Sequence, residues 1–184
     1  MVLASNSPRR RELLKGLDVD FEVRIIDGID ESYPDNLPTQ EIAEYIAVKK
    51  ANAYVATMAA DELIITADTI VVLGNSVLGK PHDSDDACRM LRMLSGNTHQ
   101  VITGVCLTTT DKRHHFSVTT DVTFKSFCDE EIEYYVGKYL PLDKAGAYGI
   151  QEWIGYTGVT GLSGSYFNVM GLPVQRIYEA LKKI

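Results

Sequence analysis

Asp68 is the residue whose surroundings point most directly to chemistry. It stands with Thr69 between two apolar runs of strand length, residues 63–66 and 70–73. An unpaired carboxylate beside two buried runs would cost on the order of several kcal/mol. We therefore expect Asp68 at a strand end, facing a cleft that supplies a cation or a hydrogen-bond network. The alternative is an aspartate that only caps a turn, since Asp and Thr are ordinary turn residues.

A cluster of arginines follows the first predicted strand. Ser7, followed by a proline, predicts the start of a helix. Arg9, Arg10 and Arg11 occupy its first turn, where cations oppose the helix dipole at a cost of about a few tenths of a kcal/mol each. Free backbone N–H groups, the Ser5 and Ser7 hydroxyls and the guanidiniums could together cradle a phosphate. A solvated basic turn is the alternative.

Lys80 ends a stretch that imitates a phosphate-binding P-loop. Residues 74–80 have the required glycine and lysine spacing, but Pro81 stands where the loop needs a magnesium-binding hydroxyl. The stretch instead predicts a β-hairpin that turns at Gly74 and Asn75. Lys80 could still act as a point charge for a phosphate, although a solvated surface lysine would have the same pattern.

An acidic loop and a long helix offer two further candidates. Segment 27–34 holds three carboxylates within five residues, the last of them Glu31, and these could bind a divalent ion. Such loops are also commonly just solvated. The helix predicted over 40–59 carries Lys49 and Lys50, which we expect to project away from its buried side. Lys50 could reach a site, although the pattern alone favours a surface lysine.

The remaining pattern predicts the elements that must position these residues. His114 and His115 would lie at the tip of a long hairpin without an acidic or cysteine partner in sequence, so a metal site there is disfavoured. The glycine-rich stretch 142–171 predicts tight loops with backbone close to a ligand, or simply flexible connections. The predicted strands are 2–4, 21–26, 63–66, 70–73, 100–110 and 116–126; the predicted helices start at Ser7, Thr39, Asp83 or Ser84, Asp129 and Pro173.

Length and charge bound the class of protein. A chain of 184 residues fits one domain, or two closely joined lobes, with a sizeable core. Its net charge of −7 argues against a nucleic-acid polymer as partner, because such binding needs basic patches. We expect no membrane span and no signal peptide. The three widely spaced cysteines are predicted to be small buried residues of a reducing compartment, which makes the cytoplasm the expected location.

Taken together and in order, the motifs cover nearly the whole chain and resemble the Maf family of nucleoside triphosphate pyrophosphatases. Single motifs are weak, but their combination is specific. The motifs are Ala4-Ser5-Asn6-Ser7-Pro8-Arg9-Arg10, Ala67-Asp68-Thr69-Ile70-Val71, Gly79-Lys80-Pro81, Met90-Leu91 with Leu94-Ser95-Gly96 and His99, Thr103-Gly104-Val105, Asp143-Lys144-Ala145-Gly146-Ala147-Tyr148-Gly149-Ile150-Gln151, and Gly164-Ser165-Tyr166 with Gly171-Leu172-Pro173.

This resemblance implies a fold and a reaction. The fold would be α/β, a mixed twisted sheet with flanking helices and two lobes around a central cleft, similar to that of the inosine triphosphate pyrophosphatases, as a single domain over residues 1–184. The reaction would be hydrolysis of dTTP and UTP, or modified pyrimidine nucleotides, to the monophosphate and pyrophosphate in a housecleaning role. A homodimer is consistent with the resemblance.

The resemblance also implies roles for individual residues. Asp68 would accept the proton of the attacking water, and Glu31 would be the best loop carboxylate, with Asp68, for Mg²⁺ or Mn²⁺. Hard oxygen ligands suit these ions. The positions implied to contact the substrate or set its specificity are Ser5, Ser7, Arg9, Arg10, Lys50, Thr69, Lys80 and Gln151.

Two other classes of function stay open. A nucleotide-binding regulator, for instance of septum formation, could keep the phosphate cradle but would not need Asp68 as a base. A different phosphate-ester hydrolase would release orthophosphate, whereas cleavage between the α- and β-phosphates releases pyrophosphate.

Overall fold

A computed structural model describes all residues, 1–184, as a mixed seven-stranded sheet with helices. The strand order is β2-β1-β3-β5-β6-β7, and β4 pairs with β3. Strand β1 is parallel to both β2 and β3, whereas the β3–β4 and β6–β7 pairs are antiparallel. The α/β class with a mixed sheet and flanking helices is thereby confirmed. The strands are β1 (Val2–Leu3), β2 (Glu22–Val23), β3 (Ile64–Leu73), β4 (Ser76–Leu78), β5 (Thr98–Thr108), β6 (Arg113–Phe124) and β7 (Val159–Ser163).

Seven α-helices and two short 3₁₀ segments complete the chain, and none of the helices is both long and apolar enough to cross a membrane. The helices are α1 (Pro8–Lys15), α2 (Thr39–Tyr54), α3 (Ser84–Leu94), α4 (Asp129–Tyr139), α5 (Trp153–Gly158), α6 (Tyr166–Val169) and α7 (Val174–Leu181), and the 3₁₀ segments are Val55–Thr57 and Ala145–Ala147.

The chain divides into two compact units. The first comprises Met1–Thr69, Thr103–Val118 and Gly171–Ile184, and the second comprises Ile70–Ile102 and Thr119–Met170. Strands β3, β5 and β6 therefore each contribute residues to both units. The expectation of one domain over the whole chain stays a prediction.

Close packing of α2 on the sheet organises the first unit. Gly104 in β5 meets the backbone of α2 so closely that an added Cβ would lie 2.2 Å from the carbonyl carbon of Ala43. Only glycine allows such an approach, because any side chain would overlap the helix backbone. Ala47 and Ala51 continue the contact as small buried residues beside Cys106. The face of α2 that carries these alanines is thus held against the sheet.

The second unit has its own apolar core around α3 and α4. The amphipathic α3 is capped by Asp83, whose carboxylate accepts from the backbone N–H of Asp86 at 2.8 Å. Phe124 and Tyr148 meet edge to face with ring centroids 4.9 Å apart, and the buried His99 ring joins them. The other buried members of this core include Leu91, Leu94, Val101, Val122, Ile132, Tyr135, Val136 and Ile154.

Two strand predictions need correction. Asp68 and Thr69 do not separate two strands: they lie inside one continuous strand, β3, because pairing with β1 at one end and β4 at the other carries the ladder through. The strand predicted over 21–26 pairs only at Glu22–Val23, because its partner β1 is itself two residues long. The hairpin at Gly74 and Asn75 is confirmed, with Gly74 at φ +59°.

Other boundaries and exposures also differ from the predictions. Residues 114 and 115 lie inside β6 and not at a hairpin tip, and His115 Nδ1 is 2.6 Å from Glu44 Oε1. Thr39 and Asp129 are the first helical residues of α2 and α4, not their caps. The three cysteine thiols are free, but the expectation that all three are buried holds only for Cys106, because Cys88 is half-buried and Cys128 is exposed at the start of α4.

Candidate active site

Lys50 joins two carboxylates at the centre of the candidate site in the first unit. Its Nζ lies 2.8 Å from Asp68 Oδ1 and 3.0 Å from Glu31 Oε1. The Lys50 and Asp68 side chains are only 14% and 12% exposed, whereas Glu31 is 50% exposed. The expected cation partner of the buried Asp68 is therefore Lys50, which offsets the cost of burying that charge.

The local geometry explains why Lys50 reaches β3. Thr66 donates a hydrogen bond from Oγ1 to the carbonyl of Ala47 at 2.7 Å, so its side chain faces α2. Asp68 lies two residues further along the strand and points to the same side. Lys50 lies three residues after Ala47, on the same face of the helix. The expectation that Lys50 projects away from the buried side of α2 is wrong, because its ammonium finds a partner there.

The acidic loop is fixed by Lys49, which also departs from a solvated surface role. Lys49 Nζ donates to Asp30 Oδ2 at 2.6 Å and to the carbonyl of Ser32 at 2.8 Å. The Ser32 backbone N–H in turn donates to Asp30 Oδ1 at 2.9 Å. The Lys49 ammonium, with these Ser32 donors, holds the pKa of Asp30 well below its usual range. Glu31 stands between the two fixed residues, which directs it toward Lys50.

Arg10 is hydrogen-bonded to the protein itself, and its predicted contact with the substrate stays a prediction. Its guanidinium donates from Nε to the Gly171 carbonyl at 2.7 Å, from Nη1 to the Ala67 carbonyl at 2.9 Å and from Nη2 to Thr69 Oγ1 at 3.0 Å. Thr69 Oγ1 also lies 2.9 Å from Thr103 Oγ1. Burial lowers the pKa of Arg10, and the Asp68 carboxylate acts against this shift. Three donors of Arg10 thus bind two backbone carbonyls and the Thr69 hydroxyl, and two of these acceptors belong to the neighbours of Asp68 in β3.

The start of α1 contains the predicted hydroxyls and Arg9. Ser7 is the N-cap, and its Oγ accepts from the Arg10 backbone N–H at 3.4 Å. Ser5 is buried, and its Oγ accepts from the Ser7 backbone N–H at 3.2 Å. Arg9 is half-buried in the first helical turn, and its charge acts on Arg10. Ser5, Ser7, Arg9 and Arg10 therefore lie on one short segment. Arg10 connects this segment to β3 through its bonds to Ala67 and Thr69.

Lys80 lies in the second unit and is exposed. It makes no hydrogen bond or ion pair within the chain. Its position is nevertheless defined, because the Gly146 backbone N–H donates to the Gly79 carbonyl at 3.0 Å. No helix begins directly after Lys80, because α3 starts only at Ser84. This agrees with the prediction that the stretch is not a P-loop. An unpartnered ammonium held by ordered backbone is available to an anion.

Gln151, also in the second unit, carries an unsatisfied acceptor. Its Oε1 is buried and accepts no hydrogen bond. Leaving a buried acceptor unpaired costs about 1–3 kcal/mol. Gly149 lies next to the same amide, where an added Cβ would be 3.1 Å from Gln151 Nε2. The turn is tight, since a Cβ on Gly155 would be 1.8 Å from the Ile150 carbonyl oxygen.

A polar network beside Gln151 was not predicted from the sequence. The Tyr135 hydroxyl, in α4, donates to Glu152 Oε2 and accepts from the Gly149 backbone N–H at 3.0 Å. Lys144 Nζ lies 3.3 Å from Glu152 Oε1 and 2.7 Å from Asp143 Oδ1. Helical periodicity assigns Tyr135 to the core, and that pattern carries no sign of its hydroxyl partner. The adjacency of Glu152 to Gln151 was the one available signal.

Glu31 and Asp68 are the carboxylates best placed to hold a divalent ion. Both approach the same ammonium, and carboxylate oxygens are the ligands that magnesium prefers. The chain has no group of three or more His, Cys, Asp or Glu side chains arranged to hold a metal. Magnesium commonly uses only one or two carboxylates with substrate phosphates, so the donor set fits an ion that arrives with a nucleotide.

Comparison with known proteins gives close relatives along the full chain. One from Phocaeicola vulgatus is 64% identical over 184 residues, covering 100% of this chain and 95% of the relative. One from Parabacteroides distasonis is 62% identical, covering 99% and 94%. One from Porphyromonas gingivalis (strain ATCC BAA-308 / W83) is 50% identical, covering 99% and 92%. All three are named dTTP/UTP pyrophosphatase.

The match to a protein family is equally complete. Residues 1–184 match the family described as Maf-like protein, with no segment left over. The motifs that carried the resemblance include Asp68, Lys80 and Gln151, and their surroundings are those described above. The chain belongs to the Maf family.

Proposed function

We propose that this protein hydrolyses dTTP and UTP to the monophosphate and pyrophosphate. The observation that carries the proposal is the buried Asp68 carboxylate held 2.8 Å from Lys50 Nζ. A binding protein has no need for a shielded carboxylate of this kind, whereas hydrolysis needs a proton acceptor. The relatives named for this activity, at 50–64% identity over the whole chain, support the choice of substrate.

In this proposal Asp68 orients the attacking water and accepts its proton. Lys50 keeps the carboxylate in place and supplies positive charge close to the α-phosphate that is attacked. Arg10 contributes indirectly, because its three hydrogen bonds fix the backbone at Ala67 and the side chain of Thr69, on either side of Asp68. A fixed base is worth more than a mobile one, since a misplacement of about 1 Å can cost on the order of 100-fold in rate.

Glu31 and Asp68 would hold a Mg²⁺ or Mn²⁺ ion together with the phosphates. When bound, such an ion neutralises developing charge on the phosphates and favours ionisation of water. Lys49 supports this role of Glu31 by fixing Asp30 and Ser32 on either side of it. The loop therefore presents its carboxylate without having to order itself at each turnover.

Cations and hydroxyls would bind the remaining phosphate charge. The proposed phosphate cradle of the first unit lies at the N-terminus of α1. It consists of the backbone N–H groups there, the Arg9 guanidinium and the hydroxyls of Ser5 and Ser7. Lys80 is proposed as a further phosphate contact from the family resemblance and from its exposed, unpaired ammonium. In a chain of net charge −7, local positive charge of this kind is needed for any triphosphate to bind.

Gln151 is the proposed reader of the base, with Arg9 and Thr69 as the other specificity positions. A glutamine carbonyl can accept from N3–H of uracil or thymine while its amide donates to O4. The buried, unpaired Oε1 of Gln151 suits this role, because pairing with N3–H would remove its cost. Cytosine offers an acceptor at N3 and would leave Oε1 unpaired.

Pyrophosphate release from a nucleotide panel tests the proposal. The purified protein is incubated with dTTP, UTP, CTP, ATP or 7-methyl-GTP and Mg²⁺ or Mn²⁺, and pyrophosphate and orthophosphate are both measured. We expect pyrophosphate from dTTP and UTP in excess of the other three. Orthophosphate as the first product would indicate a phosphatase, and binding without turnover would favour a nucleotide-binding regulator.

The same proposal has a cellular context. We propose a housecleaning role on canonical or modified pyrimidine nucleotides in the cytoplasm, with no nucleic-acid polymer as partner. A homodimer is proposed from the family resemblance, and sedimentation at micromolar concentration would test it.

A further inference from the structure

The surroundings of Gln151 raise the question of what holds its amide in one orientation. A glutamine that rotates freely could satisfy uracil or cytosine by exchanging its oxygen and nitrogen. Discrimination therefore requires that neighbouring groups fix the turn that carries it. The candidates are the groups that contact residues 149–152, and all of them belong to the second unit.

Tyr135 makes the central contact with this turn. Its side chain is completely buried, and its hydroxyl bonds both to the Glu152 carboxylate and to the Gly149 backbone N–H, at 3.0 Å for the latter. A phenol can donate one proton and can accept through its lone pairs, and the Tyr135 hydroxyl does both in these two hydrogen bonds. One hydroxyl thereby links the residues on either side of the Ile150-Gln151 pair.

Burial and the neighbouring charges favour the donor role of the Tyr135 hydroxyl. Burial, and next the hydrogen bond to the Glu152 carboxylate, raise the pKa of Tyr135 far above neutrality, so its hydroxyl remains a donor. Lys144, with 9% of its side chain exposed, lies 3.3 Å from Glu152 and balances the partly buried carboxylate. The contact is consequently a paired network and not an isolated buried charge.

Gly149 shows how little room the turn leaves. A Cβ at this position would lie 2.9 Å from Glu152 Cδ and 3.1 Å from Gln151 Nε2. The absence of a side chain therefore lets the Glu152 carboxylate and the Gln151 amide occupy the same small space. Both the network and the glycine restrict where the amide can go.

We infer that Tyr135, acting through Glu152 and Gly149, is a positioning residue that fixes Gln151 for recognition of uracil and thymine. The inference rests on the proposed function for the role of Gln151. It adds Tyr135, Lys144, Glu152 and Gly149 to the specificity apparatus, none of which need touch the nucleotide. Their effect should appear in the discrimination between bases and not in the chemical step.

The test compares Tyr135→Phe with Tyr54→Phe. Tyr54 is a matched control in the first unit, buried to 2% exposure, whose hydroxyl likewise donates to one group, the Arg24 carbonyl, and accepts from a backbone N–H, that of Ile26. The readout is the ratio of kcat/KM for dTTP to that for CTP. We expect Tyr135→Phe to lower this ratio about tenfold, in line with the loss of a buried hydrogen bond, and Tyr54→Phe to leave it within about twofold.

Gly149→Ala and binding measurements provide a second test of the inference. Gly149→Ala should lower the same ratio through contact with the Gln151 amide, and it serves if Tyr135→Phe does not fold. Dissociation constants for dTTP and CTP, measured by calorimetry without metal, give the ratio independently of turnover. If the wild-type protein discriminates in binding yet releases no pyrophosphate, the proposed function fails and the inference is tested by binding alone.

Three outcomes would overturn the inference. One is an unchanged ratio in Tyr135→Phe, or in Gly149→Ala where only that variant folds. The second is an equal loss of discrimination in Tyr54→Phe, which would reduce the effect to general destabilisation. The third is a wild-type protein that binds and hydrolyses dTTP and CTP equally well.

Discussion

Lys50 Nζ lies 2.8 Å from Asp68 Oδ1, and the two side chains belong to the buried face of a helix and the middle of a strand. The pair places a charge-balanced carboxylate where only apolar side chains would otherwise be expected. Removing one partner of such a pair leaves the other buried and uncompensated. Asparagine keeps the shape of Asp68, and Glu31 remains 3.0 Å from the Lys50 ammonium, so Asp68→Asn is a suitable probe of the chemistry of Asp68.

Asp68→Asn should abolish turnover while preserving nucleotide binding. The amide has the same shape but cannot accept the proton of water, so we expect kcat to fall at least about 100-fold and dTTP affinity to stay within about tenfold. Pyrophosphate release and calorimetry measure the two quantities. Asp61→Asn, at an exposed aspartate outside the candidate site, is the control and should retain activity. Near wild-type turnover in Asp68→Asn would remove this residue from the role of base.

Glu31→Gln should change the metal requirement more than the fold. Its side chain is 50% exposed, so its ion pair with Lys50 contributes little to stability and the melting temperature should hardly move. We expect the Mg²⁺ or Mn²⁺ concentration for half activity to rise about tenfold, because a carboxamide is a weaker ligand than a carboxylate. Glu41→Gln, in the first turn of α2, is the control. An unaltered metal requirement would assign the ion to Asp27 or Asp30 instead.

Arg9→Ala and Arg10→Ala should separate binding from stability. Loss of Arg10 strands the acceptors at Gly171 and Ala67, so the melting temperature should fall by more than about 5 °C. Arg9→Ala should instead weaken dTTP binding or slow its cleavage with a much smaller thermal shift, and Lys80→Ala should resemble it. Thermal unfolding and steady-state kinetics on the same samples provide the comparison. If Arg9→Ala mainly unfolds the protein, the phosphate cradle loses that residue.

The pairing of Lys50 with Asp68 could be predicted only in part from the sequence. A carboxylate between apolar runs predicts that a cation must be near, because the electrostatic cost is local. Which cation supplies it depends on α2 packing on β3, a contact between residues 18 positions apart. The spacing indicated part of the answer, because Lys50 lies four residues after Ile46 and three after Ala47, which places it on the same helix face as these buried residues. The buried stripe of α2 therefore includes the lysine.

The glycine-rich stretch was harder to interpret for a different reason. The short helices α5 and α6 and strand β7 were not predicted, because high glycine content favours irregular structure. In the folded chain Gly155 meets the Ile150 carbonyl and Gly158 meets the ring of Phe127. These glycines allow close packing, and only the tertiary contacts distinguish that use from flexibility. The Tyr135–Glu152 hydrogen bond escaped prediction for the same reason.

His99 should make the protein less stable in mild acid. Burial lowers the pKa of His99 to about 4, below an unfolded value of about 6.5. The unfolded chain therefore binds a proton first, and stability that is present above about pH 6.5 is lost as the pH falls toward 4, up to on the order of 3 kcal/mol. The free energy of unfolding of wild type and His99→Gln should converge over this range. Parallel curves for wild type and His99→Gln would contradict the prediction.

Gln151→Ala should narrow the preference for dTTP and UTP over CTP. The buried Oε1 has no partner in the free protein, so N3–H of uracil or thymine would satisfy it while N3 of cytosine would oppose it. Alanine removes both the hydrogen bond to N3–H and the unfavourable contact with N3 of cytosine. We therefore expect the ratio of kcat/KM for dTTP to that for CTP to fall by about tenfold or more. Gln175→Ala, whose exposed amide pairs only with Glu179, is the matched control. An unaltered ratio in Gln151→Ala, or equal wild-type activity on 7-methyl-GTP, would remove this residue as the reader of the base.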